Sequence, residues 1–300
     1  MRNRRRRSRT VLTVLLAAAL GLTGCDSSTP KGSRPQASHA PQTWDRSPSS
    51  VAAVGDSITR GFDACTVLSD CPEVSWATGT SSRVNSLAVR LLGRAKAAEF
   101  SWNYAVTGAR MADLTDQMAQ AVTRRPQLVT VMAGANDACR ATPSAMTSVH
   151  AFRAQFKEAL RTLRDALPKT QVYVASVPNL KRLWSQGRTS PLGRQVWKLG
   201  ICPSMLGDSD ALDAAATLRR DEVEKRVRAY NRVLEKVCAK DRRCRFDGGA
   251  VFDYEFGAGQ LSQWDWFHPS RDGQAHLAAI AYRTVTAKEP TKELAKDPGA

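Results

Sequence analysis

The chain has 300 residues, 42% of them hydrophobic and 24% charged, with a formal net charge of +16. Such a composition excludes a wholly disordered polymer and leaves room for one sizeable core flanked by extensions. The basic surplus would suit nucleic acid, anionic lipid or wall polymers. No zinc finger, RNA-binding sheet motif or basic zipper accompanies it, so nucleic-acid binding is not expected.

Residues 1–24 hold six arginines and no acid, so a chain beginning at Cys25 would carry +10. The basic head, the apolar stretch at 11–22 and the ending Leu22-Thr23-Gly24-Cys25 have the form of a secretory leader, the apolar part being too short to span a bilayer comfortably. That ending resembles a bacterial lipobox. The resemblance implies cleavage ahead of Cys25, lipidation of that cysteine, and an exported protein anchored to the outer face of the membrane. A plain secretory leader is the competing reading, and both general secretory and twin-arginine export stay open. Residues 26–50 are rich in Ser, Pro and Thr with few large apolar side chains, which predicts a tether without a core. The expected layout is a leader at 1–24, a lipidated cysteine and tether at 25–50, a folded domain at 51–287 and a polar tail at 288–300.

Within the domain, Val51–Val54 predicts a buried strand that delivers Ser57 into the turn Gly55-Asp56-Ser57-Ile58. A helix around 82–97 and a strand at 100–106 follow, the latter ending in Thr107-Gly108-Ala109-Arg110. A helix from 111 leads to an apolar, β-branched run at 128–133 that ends in Gly134-Ala135-Asn136-Asp137. Next come a helix at 149–166, a strand at 171–177, an aperiodic stretch at 178–208, a long helix at 209–239, a weak strand near 245–253 and a closing helix at 273–287. The alternating charges from Leu218 onward read as a solvated helix face. Strands alternating with helices predict an α/β fold, a three-layer α/β/α sandwich on a mostly parallel, flavodoxin-like sheet of about five strands. Ligands of such sheets bind beyond the carboxyl ends of the strands, where Ser57, Gly108 and Asn136 all fall.

Asp265-Trp266-Phe267-His268-Pro269 sets a carboxylate three residues before an imidazole. Of the other histidines, His39 lies in the tether, His150 at a helix start and His276 inside the last helix, so His268 is the best-placed base. Ser57, His268 and Asp265 then form a candidate nucleophile, base and orienting acid. The Ser57 and Gly108 amides with the Asn136 side chain would supply donors for an oxyanion. Each residue alone is more readily a cap or turn residue.

Together the four blocks, Gly55-Asp56-Ser57-Ile58, Gly108 in its turn, Gly134-Ala135-Asn136-Asp137 and Asp265 to Pro269, resemble the SGNH hydrolases, the GDSL-type esterase and lipase superfamily. The likeness runs from Val51 to about Tyr282. It implies a Ser57 nucleophile, a His268 base partnered by Asp265, and an oxyanion hole of Ser57, Gly108 and Asn136. The implied activity is hydrolysis of carboxylic esters, on lipid or acylated glycan at the cell surface, with no metal or organic cofactor. An acyltransferase using the same acyl-enzyme and an inactive surface-binding lipoprotein are the alternatives. Isoleucine at position 58, where the family name has leucine, conserves volume.

With Cys25 set aside, six cysteines remain. The equal spacing of two close pairs suggests Cys65–Cys71 and Cys238–Cys244, leaving Cys139 with Cys202; several other pairings are possible in principle. A zinc site is a poor alternative, since no Cys-x-x-Cys pair or nearby histidine supports it. Residues 178–208 are expected to form a loop or lid over the site. Trp184 and Trp197 from that stretch, with Trp266 and Phe267 beside His268, are candidates to line the substrate pocket.

Overall fold

Small and β-branched residues make Val51–Gly55 a fully buried strand, β1, which runs almost directly into a one-turn helix, α1 (Ser57–Arg60). In the computed structural model, which describes residues 44–288, the chain continues through α2 (Leu87–Leu92) and α3 (Arg94–Phe100) to β2 (Ser101–Asn103). It proceeds by α4 (Leu114–Val122) to β3 (Leu128–Met132), then by α5 (Ala135–Ala138) and α6 (Val149–Ala166) to β4 (Gln171–Val174). Helices α7 (Leu180–Gly187), α8 (Pro191–Trp197), α9 (Pro203–Leu206) and α10 (Ala214–Cys238) lead to β5 (Cys244–Phe246). The last elements are α11 (Ala250–Asp253) and α12 (Arg271–Thr286).

The five strands lie in the order β2-β1-β3-β4-β5 and every neighbouring pair is parallel. This is the flavodoxin-like order, reached because each crossover spans a helix. On one side α4 packs on β1 and α6, and α6 on α10; elsewhere α12 packs on α2, β4 and β5. The three central strands β1, β3 and β4 are buried along their whole length and the edge strands β2 and β5 partly so, and Trp76, Phe152, Phe156, Tyr173 and Tyr230 fill the core at 0% exposure. The expected three-layer α/β/α architecture is therefore what the chain adopts.

Three expectations need correction. Residues 44–50, read as the end of the tether, are docked on the domain. Trp44 donates its indole N–H to the Val285 carbonyl at 2.8 Å and lies 4.4 Å from the Arg245 guanidinium. The Gln171 side-chain amide also donates to the Asp45 carbonyl at 2.8 Å. A single aromatic anchor and backbone hydrogen bonds thus suffice where composition alone predicts none. Residues 178–208 are not an aperiodic loop but three short helices, α7 to α9, entered through the caps Asn179 and Ser190 and through Pro203. The strand expected at 245–253 stops at Phe246, because the Gly248-Gly249 turn, both at positive φ, redirects the chain into α11. The expected leader, the expected lipidation at Cys25, most of the expected tether, and the tail from 289 lie outside the described residues.

The disulfides are Cys65–Cys71, Cys139–Cys202 and Cys238–Cys244, the pairing suggested by spacing. The second joins residues 63 apart and ties α9 to the end of α5. Replacing Cys139 and Cys202 together by alanine should lower unfolding free energy by about 2–4 kcal/mol, because the open chain recovers a long loop's entropy. Urea unfolding checks this. Unchanged stability would mean that the Ser204 contacts, N–H to Arg140 carbonyl at 2.9 Å and Oγ to Ala138 carbonyl at 2.7 Å, hold α9 unaided.

Candidate active site

The turn that carries Ser57 is fixed from three directions. A Cβ on Gly55 would lie 2.2 Å from the Met132 carbonyl oxygen, so only glycine lets the ends of β1 and β3 approach this closely. From α4, the buried Gln117 accepts the Gly55 N–H at 2.7 Å and donates to its carbonyl at 3.0 Å. Asp56 caps α1 by accepting the Ile58 N–H at 3.0 Å, and from α12 Gln274 donates to the Ile58 carbonyl at 2.8 Å. Ser57 is left at the start of α1, 6% exposed.

Opposite it, the loop before α12 presents its acid and imidazole as one unit. Asp265 Oδ1 accepts the backbone N–H groups of Phe267 and His268, each at 2.9 Å, while Oδ2 pairs with His268 Nδ1. His268 Nε2 lies 2.8 Å from Ser57 Oγ. The Trp197 indole donates to the Asp265 carbonyl at 2.7 Å, and the rings of Phe62 and Phe267 flank the imidazole at 5.0 and 5.5 Å. Ser57, His268 and Asp265 therefore form an unbroken line of contacts in the order that proton transfer from a serine requires.

Burial alone would pull the His268 imidazole down, but the charge and hydrogen bond of Asp265, aided by Asp56 and Asp63, push it above the ordinary 6.5. Burial would likewise raise Asp265, yet His268 and the two backbone donors hold that carboxyl below its usual range. Asp56 is compensated less: burial pushes it up to about 7 against the Ile58 N–H and the His268 charge, and its Oδ2 has no partner among the described residues.

The expected oxyanion donors lie in the turns after β1, β2 and β3. Gly108 adopts φ 84°, and a Cβ there would meet nothing within 4 Å, so glycine serves its backbone conformation rather than its space. Asn136 donates to the Ala109 carbonyl at 2.9 Å, which ties the β3 turn to the Gly108 turn and leaves a second amide N–H. Neither the Ser57 nor the Gly108 N–H meets a protein acceptor among the described residues. Unpaired N–H donors are what a developing oxyanion requires.

Comparison with protein families matches residues 51–281 to the GDSL-like lipase/acylhydrolase family. The chain belongs to that family. It is an ester hydrolase of the GDSL type, on the same fold that its strand order displays. Among solved structures it resembles a protein from Parabacteroides merdae described as a GDSL-like lipase, with a TM-score of 0.50 at 16% identity over 83% of this chain and 100% of that one. An extracellular lipase from Streptomyces rimosus is similar at a TM-score of 0.44 and 17% identity, covering 80% of this chain and 100% of the lipase. Phospholipase A1 from Streptomyces albidoflavus gives 0.45 and 17%, over 80% of this chain and 100% of that one. No curated protein matches the chain.

Two of the four pocket candidates in this hydrolase have packing roles instead. Trp184 is 7% exposed, donates to the Ser209 carbonyl at 3.1 Å and stacks with Arg220 at 4.1 Å. Trp197 is 3% exposed and braces the acid loop from beneath. Both rings are amphipathic, and in each the indole N–H finds a buried carbonyl rather than a ligand. Phe267 is buried against the imidazole, whereas half-buried Trp266 and exposed Trp264 line a cavity of about 370 Å³ with Asp63, Arg83 and Arg271. Sequence reasoning misses Gln117 and Gln274, which pin the nucleophile turn, and Asp63, which lies beside Asp265; no local motif marks any of them.

A base that must be neutral to accept a proton, yet is held above 6.5, makes activity rise with pH through an ionisation higher than that of free imidazole. The acid limb of kcat/KM for a short nitrophenyl ester should accordingly lie above pH 6.5. A midpoint below that value would contradict the assigned influence of Asp265. Asn136→Ala should lower kcat by about 10²–10³ with little change in KM; equal losses in both constants would point to a binding role.

Proposed function

We propose that this hydrolase cleaves carboxylic esters by two-step acyl transfer. Ser57 Oγ attacks the ester carbonyl and its proton passes to His268 Nε2. The carbonyl π electrons move onto oxygen, where the Ser57 and Gly108 amides and the Asn136 side chain receive the charge. The tetrahedral intermediate collapses as His268 returns the proton to the leaving alcohol, and water repeats the sequence to release the acid. Asp265 fixes the imidazole tautomer and stabilises its charged form. The observation that carries this reading is the 2.8 Å contact between His268 Nε2 and Ser57 Oγ, made by an imidazole whose other nitrogen is already taken by Asp265. An inactive binding module has no need of such a line, and water serves as the acceptor.

The reading extends to location. Three disulfides suit an oxidising compartment outside the cytoplasm. With the leader at 1–24 removed and Cys25 lipidated, the domain would work within a short tether's reach of the membrane. Esters of lipids or of acylated surface glycans are the substrates within that reach.

Ser57→Ala should abolish turnover of short nitrophenyl esters and labelling by a fluorophosphonate probe while leaving the thermal transition unchanged; persistent labelling would remove Ser57 from its role. Asp265→Asn should retain the fold and lose about 10²–10⁴ in kcat, since the amide favours the wrong imidazole tautomer. Activity close to that of the unmodified protein would show that the backbone contacts of the loop orient His268 by themselves.

A further inference from the structure

Behind the acid of the triad lies a second acid. Asp63 is 2% exposed, and its carboxylate, that of Asp265 and a His268 ring nitrogen all come within 4.8 Å of one another. Asp63 reaches this position by design of its loop. It adopts φ 56°, a left-handed conformation uncommon outside glycine and tolerated best by Asp and Asn. Its N–H donates to the Ser69 carbonyl at 3.0 Å, and its Oδ1 accepts the Leu68 N–H, so the loop closed by the Cys65–Cys71 disulfide seats the side chain. The Ser262 hydroxyl donates to the Asp63 carbonyl at 2.7 Å, and the Ser262 N–H donates to the His268 carbonyl at 2.7 Å. Asp63 Oδ2 has no hydrogen-bond partner among the described residues.

Two buried carboxylates this close do not ionise independently; they hold a proton between them until the pH is high enough to remove it. Asp265 already receives two backbone N–H groups and the imidazole, so it keeps the negative charge and Asp63 is the member that binds the proton. We propose that Asp63 is a positioning residue for ester hydrolysis, the fourth group in the line Ser57, His268, Asp265, Asp63, acting through Asp265 to set the ionisation at which His268 becomes available as base. Below its own ionisation, Asp63 is protonated and its hydroxyl donates to the Asp265 carboxylate. Above it the proton leaves to solvent and His268 faces two negative charges, which favour the imidazolium formed when Ser57 gives up its proton. Consistent with this, burial first and the Asp265 charge second push Asp63 up to about 6.

Asp56 faces His268 from the nucleophile turn, and Arg83, Arg271 and Asp272 share the cavity wall with Asp63. Arg60 of α1 is occupied by Asp70 at 3.0 Å.

The inference rests on the proposed Ser57 mechanism, and the experiment separates the two. Asp63→Asn keeps a hydrogen-bond donor toward Asp265 but cannot ionise; Asp63→Ala keeps neither. Fluorophosphonate labelling, steady-state kinetics with a short nitrophenyl ester from pH 5 to 9 and thermal unfolding would be measured for both variants and for the unmodified protein, at roughly half-unit intervals suited to resolving a shifted ionisation. Asp63→Asn should fold with an unchanged Tm and KM, lose about ten-fold in kcat, and carry an acid limb displaced to lower pH because one negative charge beside His268 is gone. Asp63→Ala should show the same displacement with a larger loss in kcat, and if it fails to fold the asparagine variant still decides. An acid limb unchanged in Asp63→Asn, whether kcat is retained or falls only with Tm, overturns the role of Asp63 while Ser57 labelling of the unmodified protein stands. Absence of that labelling overturns the underlying mechanism, and this inference with it.

Discussion

A single hydrogen bond, from the first turn of the domain to its last loop, organises the site: His268 Nε2 to Ser57 Oγ, between residues 211 apart in sequence. Neither side chain could hold that distance from a flexible segment. The serine is rigid because Gly55 lets β1 and β3 nearly touch and because Gln117 and Gln274 grip the backbone on either side of it. The histidine is rigid because Asp265 binds the loop's own backbone as well as its ring. Gln274 belongs to α12, the helix that the histidine loop enters, so the element that follows His268 also clamps the turn that carries Ser57. The parallel sheet makes this economical, since it brings the carboxyl ends of β1, β2 and β3 side by side whatever their separation in the chain.

The parts of this arrangement that can be read from the sequence are those in which a strand end and a reactive or glycine residue are adjacent. Gly55 to Ile58, the Gly108 turn, Gly134 to Asp137 and Asp265 to Pro269 each compress an element boundary and a chemical function into a few residues. The helix at Val149–Ala166 is legible to its ends for a different reason: five turns of period let the apolar stripe accumulate, and Ser148 caps it. Residues 178–208 defeat the same reasoning, because helices of 8, 7 and 4 residues are too short to display a period. Their caps, Asn179 and Ser190-Pro191, are the signals available there. The aromatic residues of that stretch mislead for a related reason. A tryptophan in an irregular segment suits a pocket and a packed helix equally well, and only the acceptors of Trp184 and Trp197 distinguish the two.

Gln117, Gln274 and Asp63 are illegible because their meaning lies wholly in partners distant in sequence. Asp63 could be taken for an ordinary turn residue ahead of a cysteine. Its burial beside Asp265 depends on the Cys65–Cys71 loop folding back and on Ser262 joining its carbonyl to the histidine loop. The Cys65–Cys71 disulfide thus fixes an electrostatic feature beside the histidine loop.

Electrostatics gives the site a character opposite to that of the whole chain. The sequence carries a formal +16, yet the charges that act most on His268 are those of the acids Asp265, Asp56 and Asp63, all buried. Burying several carboxylates is costly, and the fold limits the cost by hydrogen-bonding Asp265 fully while burial raises Asp56 and Asp63 toward neutrality. The result is a reservoir of negative charge whose size depends on pH. In the proposed mechanism His268 accepts the serine proton, and the positive charge then forms where such groups stabilise it most, in a low-dielectric interior screened from salt. A basic exterior and an acidic interior are therefore compatible: the first governs what the protein approaches, and the second governs how strongly its imidazole can pull a proton.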